Sequence, residues 1–157
     1  MTTNPITITP AQPSDLPAIS ALLTQADLPL LGLADFLDTA VVARLENQIV
    51  ACAALEPYPP DALLRSVIVA PSQRGTGLGH IMTEAALQLA RDHGYTAVYL
   101  LTETAAHFFP RFGFQPIERD VVPTAVQTSL EFTTACPASA QAMRLRLTDL
   151  VPNKPEA

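Results

Sequence analysis

Apolar positions recur along this chain with two different periods, and each switch between them marks an element. Ile6-Thr7-Ile8 alternates as a short edge strand would, and Pro10 and Pro13 stop it. Helical spacing then takes over: Leu16, Ile19, Leu23 and Ala26 share one face, Ser14 is placed to cap, and Pro17 falls in the first turn, where no N–H is needed. Residues 28–38 are apolar but broken by Pro29 and Gly32, which fits either a short helix or a substrate-side loop. Two strand-like runs follow at 40–45 and 49–55, joined as a hairpin through Glu46-Asn47-Gln48. The stretch Glu56-Pro57-Tyr58-Pro59-Pro60-Asp61 reads as a rigid connection into the next strand.

That next strand, 63–70, is closed by Pro71 and runs into a glycine stretch, Arg74-Gly75-Thr76-Gly77-Leu78-Gly79. From Leu78 the period becomes helical through Ile81, Met82, Ala85, Leu89 and Ala90, with Gly94 where a C-terminal cap belongs. Ala97-Val98-Tyr99-Leu100-Leu101 is continuously apolar, as a strand buried on both faces would be, so residues 63–101 predict a parallel strand-helix-strand unit with a cleft beside it. A short helix over 105–112 should be kinked or tightened at Pro110 and stopped by Gly113. A strand at 115–119, a helix start at Pro123, a Pro137-punctuated turn and an alternating strand at 143–147 complete the chain, with fraying beyond Leu150.

The 157 residues fit one domain, expected over 1–150 with a tail at 151–157. A net charge of −6 argues against nucleic acid as a partner. No apolar run approaches the length that spans a bilayer, and the start lacks an export signal, so a cytoplasmic protein with no membrane partner is expected. Cys52 and Cys136 are too few for a disulfide scaffold, and His80, His93 and His107 have no zinc spacing, so no metal is expected.

The glycine stretch carries the chemistry. Alternate glycines open backbone conformations closed to other residues and leave the amides of a helix N-terminus bare, a natural seat for a phosphate, with Arg74 as a fixed cation beside it. Gly79 is followed by His80 and Ile81 rather than Lys-Ser/Thr, which excludes a triphosphate P-loop, and a dinucleotide fingerprint would need its third glycine at position 80. Gln73-Arg74-Gly75-Thr76-Gly77-Leu78-Gly79, after Val67-Ile68-Val69-Ala70-Pro71, resembles the coenzyme A loop of the GNAT superfamily of acetyltransferases. Phe112-Gly113-Phe114 resembles the close of that family's fourth helix. Leu64-Arg65-Ser66, Leu100-Leu101-Thr102, Phe108-Phe109, Glu131-Phe132 and Cys136-Pro137-Ala138-Ser139-Ala140 together resemble its arsenic-resistance N-acetyltransferase subfamily.

The resemblance implies an α/β (α+β) fold: a mixed, mostly antiparallel sheet whose parallel strand pair opens a coenzyme cleft, flanked by about four helices. It also implies acetyl-CoA as cosubstrate, held by Arg74, Gly75, Thr76, Gly77, Leu78, Gly79 and His80, with the pantetheine arm along Val67, Ile68 and Val69 and with Phe109 and Arg111 beside it. The place where many members carry an acid tyrosine holds Phe109. Direct transfer to a small-molecule amine, in arsenic or toxin resistance, is the implied activity; a coenzyme-binding sensor without transfer and a purely structural glycine turn are the competing readings.

Such transfer needs a base for the amine and a donor for the developing oxyanion. A backbone N–H of 67–69 suits the second role. Glu56, at a strand end, is the candidate base, set against a merely solvated carboxylate; Tyr58 is the second acid or base candidate, set against packing. Arg65 sits in an apolar strand and must face open space or meet an anion, either a substrate carboxylate or arsenic oxyanion or an internal partner such as Glu131. Cys136 is a candidate arsenic ligand provided a second thiol, Cys52, lies nearby; inert burial is the alternative for both. Unpaired sheet edges leave room for a homodimer.

Overall fold

The computed structural model describes residues 5–28, 30, 33–103, 105–129 and 140–147. Its strands are β1 (Thr7–Pro10), β2 (Ala40–Leu45), β3 (Gln48–Tyr58), β4 (Asp61–Val69), β5 (Ala97–Thr102), β6 (Gln115–Ile117) and β7 (Gln141–Arg146). They form one seven-stranded sheet in the order β1-β2-β3-β4-β5-β7-β6. Only β4 and β5 pair in parallel; the remaining neighbours are antiparallel. The α-helices are α1 (Leu16–Gln25), α2 (Leu78–Asp92) and α3 (Thr124–Gln127). This is the mixed α/β architecture expected from the sequence.

Local chemistry explains the turns. Glu46 and Asn47 link β2 to β3 with φ of 54° and 68°, the doubly positive pair that a two-residue hairpin of matching twist requires. The proline-rich connection is shorter than expected: Glu56, Pro57 and Tyr58 continue β3, Asp61 opens β4, and only the cis-linked Pro59-Pro60 lies between them. Pro57 is tolerated because β2 pairs with β3 only as far as Ala54, so among the described residues no strand calls for a Pro57 N–H on that side; the nearby Leu55 carbonyl accepts the Thr39 hydroxyl instead.

Three further expectations change in detail. Ser14 caps nothing; a 3-10 turn at Pro13–Asp15 precedes α1, and the Asp15 carboxylate accepts the Gln12 amide at 2.8 Å. Residues Leu33–Thr39 form a 3-10 helix, resolving the ambiguous apolar stretch. The fourth expected helix is a 3-10 turn at Phe109–Phe112 ending on Gly113 at φ 103°, the tightening that Pro110 demands.

The two sheet faces differ. On one, Ile19 and Leu23 of α1 and Met82, Ala86, Leu87 and Ala90 of α2 pack against Val42, Leu55, Leu64, Val98 and Leu100. The alanines of β3 keep this surface low enough for both helices to approach, and each large side chain removed from water contributes about 1.5–3 kcal/mol. On the other face, Leu63, Ala97, Tyr99 and Ala142 meet Val122 and Val126, so α3 covers that side of β4 and β5. Among the described residues no helix is long and apolar enough to cross a membrane.

One ion pair ties the N-terminal segment to this sheet. Arg44 of β2 donates to both Asp15 oxygens at 3.0 and 2.6 Å and to Thr9 Oγ1 at 3.1 Å. The Arg44 hydrogen bond, opposed by desolvation, holds the Asp15 carboxyl below its usual pKa of 3.8. A carboxyl lowered on folding adds stability above its unfolded pKa and loses it as pH falls through the folded one. Asp15→Asn should therefore destabilise the protein by about 1 kcal/mol at neutral pH. In urea titrations the gap from wild type should close well below pH 3.8.

Candidate active site

The parallel pair makes the site by failing to continue. β4 and β5 are in register only over Asp61–Leu63 and Ala97–Tyr99, and beyond Leu63 the strands part. A cleft of about 580 Å³ opens between them, walled by residues 64–69 of β4 and 100–103 after the β5 pairing ends, with Gly79, Phe108 and Phe109 at one end and residues 26–28 at the other.

A bulge shapes the β4 wall. Cys52 pairs with Ile68 but Ala54 pairs with Arg65, so one residue of β3 faces two of β4. Ser66 takes up the extra length at φ 59°, a conformation costing a non-glycine residue about 1–2 kcal/mol. The Ala70 amide donates to Val50 O of β3, so strand alternation turns the peptide groups of Val69 toward the cleft. The Val69 carbonyl accepts Arg74 Nε at 3.2 Å from that side. At the bulge the Ser66 carbonyl is turned to Cys52 of β3, so the N–H of that trans peptide, which belongs to the cleft-lining Val67, points the opposite way.

At the end of β4, a 3-10 turn at Pro71–Gln73 leads to the glycine loop. Gly75 and Gly77 have φ of 82° and 87°, and Gly77 is the N-cap of α2. Beside them lies a second hollow of about 310 Å³, into which Gly75, Gly77, Leu78, Gly79 and His80 face together with Arg74 and Arg111. A Cβ built at Gly75 or Gly77 meets nothing within 4 Å, so the loop borders open space. Two arginines and the free amides of a helix start thus share one hollow on a chain of net charge −6. Arg111 stacks over Phe108 at 4.5 Å, and His80 lies 4.7 Å from Phe112.

The expected site residues divide into groups. Val67, Ile68, Val69, Arg74, Gly79, Phe109 and Arg65 line the larger cleft. Thr76 lines neither hollow; its hydroxyl closes the loop on Gln73 O. Glu56 and Tyr58 also lie outside both. Glu56 is not a solvated strand end: it is 1% exposed and accepts from Arg65 Nη1 at 2.6 Å, Ser129 Oγ at 2.6 Å and Tyr58 Oη at 2.8 Å. Among the described residues the anion that meets Arg65 is Glu56; Glu131 and Cys136 lie outside them. Burial, and after it the neighbouring Glu56, push the Tyr58 phenol up to about 12.

Several wall residues carried no signal in the sequence. Residues 26–28 belong to a loop whose role depends on tertiary placement, and Glu103 and Phe108 depend on where the strands diverge. The bulge left no mark either, because Ser66 is not a glycine. Cys52 is 1% exposed, and burial, tempered by Arg65, raises its thiol to about 12. Among the described residues, no group of His, Cys, Asp and Glu is arranged to hold a metal.

A family profile described as an acetyltransferase (GNAT) domain matches residues 37–116, which include the parted strands, the bulge and the whole glycine loop. The chain belongs to the GNAT acetyltransferase family. That family consists of acyltransferases that use acetyl-CoA as cosubstrate. The amino-acid acetyltransferase of Escherichia coli K12 is 29% identical over 89 residues, covering 55% of this chain and 20% of that protein. The Yersinia enterocolitica protein of the same name is 31% identical over 93 residues, covering 58% and 21%. The GNAT chain thus spans about a fifth of the length of these curated relatives.

Among solved structures, N-acetylglutamate synthase from Neisseria gonorrhoeae, complexed with coenzyme A and N-acetyl-glutamate, superposes with a TM-score of 0.78 at 19% identity. The match covers 93% of this chain and 36% of that one. Rv2747 from Mycobacterium tuberculosis, in a complex containing CoA, superposes with a TM-score of 0.73 at 27% identity, covering 89% and 98%.

Gly79→Ala separates fold from ligand. Its new Cβ would meet Val69 Cγ2 at 3.7 Å and Phe108 Cζ at 3.8 Å, ordinary contacts, and alanine suits a helix better than glycine. The variant should keep its Tm yet bind acetyl-CoA on the order of tenfold more weakly by calorimetry, because the added methyl sits beside Val69 and Phe108 in space that borders both hollows. Separately, mass-spectrometric peptide mapping should find Cys52 unalkylated by iodoacetamide at pH 8 until denaturant is added, because a buried thiol with a pKa of about 12 presents almost no thiolate.

Proposed function

We propose that the chain is an N-acetyltransferase that moves the acetyl group of acetyl-CoA directly to the α-amine of a small amino acid or a close analogue. The observation that carries this reading is the continuity of the two hollows: Val69, Arg74, Gly79 and Phe108 border both, so one ligand with an anionic end and a reactive end fits across them. The diphosphate would lie against Gly75, Gly77, Gly79 and the Arg74 and Arg111 cations, and the pantetheine arm against the cleft-facing Val67 N–H and Val69 peptide groups. Acetyl-CoA supplies the thioester: an amine nitrogen displaces its sulfur at the carbonyl carbon, and the proton that the amine sheds is balanced by one taken up at the departing thiol.

The Val67 amide, held rigidly in a narrow cleft, is placed to polarise that carbonyl; removing one such donor typically costs about 3 kcal/mol of barrier. Phe109, buried and flanked edge-on by Phe108 and Phe114, gives the wall no proton donor where a tyrosine would offer one. Asp27 and Glu103 line the cleft at the side away from the glycine loop, and they are the carboxylates best placed to attract an ammonium and to take its proton through water. Glu56 and Tyr58 serve this reading from beneath the wall.

The amino-acid acceptor is supported by the amino-acid acetyltransferases that this chain resembles. An arsenic-containing amino acid belongs to the same chemical class. The Cys136-Pro137-Ala138-Ser139 element that implies arsenic or toxin resistance falls outside the described residues.

Saturation with acetyl-CoA at ~100 times Kd should stabilise the protein by about 2.7 kcal/mol, read as a rise in Tm. No rise would remove the reading. Release of free CoA thiol, followed with a chromogenic disulfide, should then respond to members of a panel of acidic, amidic and arsenical amino acids and not to simple alkylamines. A stabilising shift without thiol release on any amine would instead favour the coenzyme-sensing alternative, which Phe109 makes chemically reasonable.

A further inference from the structure

The polar groups under the β4 wall converge on one residue. Ser66 holds the strained bulge position, and it is gripped from two directions. Arg65 Nε donates to Ser66 Oγ at 3.1 Å, and Cys52 Sγ donates to Ser66 O at 3.1 Å. The Arg65 guanidinium is in turn fixed by Glu56, whose carboxylate is held by Ser129 of the segment after α3 and by Tyr58 of β3. Every member except Ser66 and Tyr58 is buried.

This is an expensive arrangement for stability alone. A buried ion pair contributes little net stability over apolar side chains of equal volume, and a left-handed serine adds strain. What the arrangement does supply is fixed geometry at the peptide following Ser66, whose N–H belongs to Val67 and faces the cleft. We infer that the hydrogen-bonded chain Glu56–Arg65–Ser66, closed from the other side by Cys52, is a positioning device that sets the aim of the Val67 amide at the acetyl-CoA thioester. Glu56 and Arg65 are then positioning residues acting through the bulge, and Glu56 does not take the amine proton. The inference rests on the acetyl-CoA reading above and goes beyond it by assigning a role to the residues beneath the cleft.

The discriminating experiment needs no acceptor. Acetyl-CoA labelled isotopically at the thioester carbonyl is bound to the protein, and its carbonyl stretch is read by isotope-edited infrared difference spectroscopy. In wild type the band should move to lower frequency than in free acetyl-CoA, as a hydrogen-bonded carbonyl does. Glu56→Gln and Ser66→Gly should each return it toward the free position. Glycine relieves the strain at φ 59°, so Ser66→Gly should do this without a loss of Tm. Cys52→Ala should shift the band in the same direction, and Cys52→Ser, which keeps a donor, should restore it. With an active acceptor, the same variants should lower kcat more than they raise KM for acetyl-CoA, by on the order of threefold for the single thiol contact.

With no amine present there is no proton to take, so a band left unchanged in Glu56→Gln and Ser66→Gly overturns the inference. Should Glu56→Gln fail to fold, Ser66→Gly and the two Cys52 variants decide. Failure of wild type to bind labelled acetyl-CoA refutes the coenzyme reading itself, which is a separate outcome.

Discussion

Parting of β4 from β5 after three paired residues is the constraint on which the rest of the molecule depends. Strands held in register along their whole length would leave no peptide groups for a ligand and no space beside the glycine loop. Two features enforce the separation. The bulge at Ser66 bends β4 near its midpoint, and the phenylalanine cluster around the Phe109–Phe112 turn occupies the end of the gap that it opens. The cleft is therefore a property of the sheet, bordered by the diverging strands and by the glycine loop that opens α2.

A large apolar core makes that interruption tolerable. α1 and α2 seal one face with close-packed Ile19, Leu23, Met82 and Leu87, while α3 and Val122 cover the other over β4, β5 and β7. Against this background a left-handed serine and a buried ion pair are affordable local costs. Ser66 and the Glu56–Arg65 pair are joined by direct hydrogen bonds under the cleft wall, so the two costs fall at one place in the sheet.

Much of this was legible beforehand because it rests on local rules. The change from a β-branched run to helical spacing around Gly75, Gly77 and Gly79 fixed the strand-loop-helix unit, since those glycines are the residues whose conformation is not open to others. The tightening at Pro110 and the hairpin at Glu46-Asn47 followed from the same kind of chemistry. What sequence did not convey was parity and depth. Nothing about Glu56 distinguishes a solvated strand end from a buried hub, because the answer lies in Arg65 nine residues on and Ser129 much further along. Glu56 to Asp61 reads as a rigid connection because proline usually breaks ladders, yet β3 runs on to Tyr58 where β2 no longer pairs with it. Ser66 was invisible for the opposite reason: its conformation is one that serine does not advertise.

The loop ending α1 and Glu103 after β5 line the cleft, yet neither belongs to a paired strand or to a helix turn beside the glycine loop. Substitutions there leave the strand ladder and α2 in place, whereas changes along residues 64–79 reach the wall, the bulge and the glycine loop at once. A sheet so arranged leaves one border of its cleft open to variation while the opposite border is tied to the fold itself.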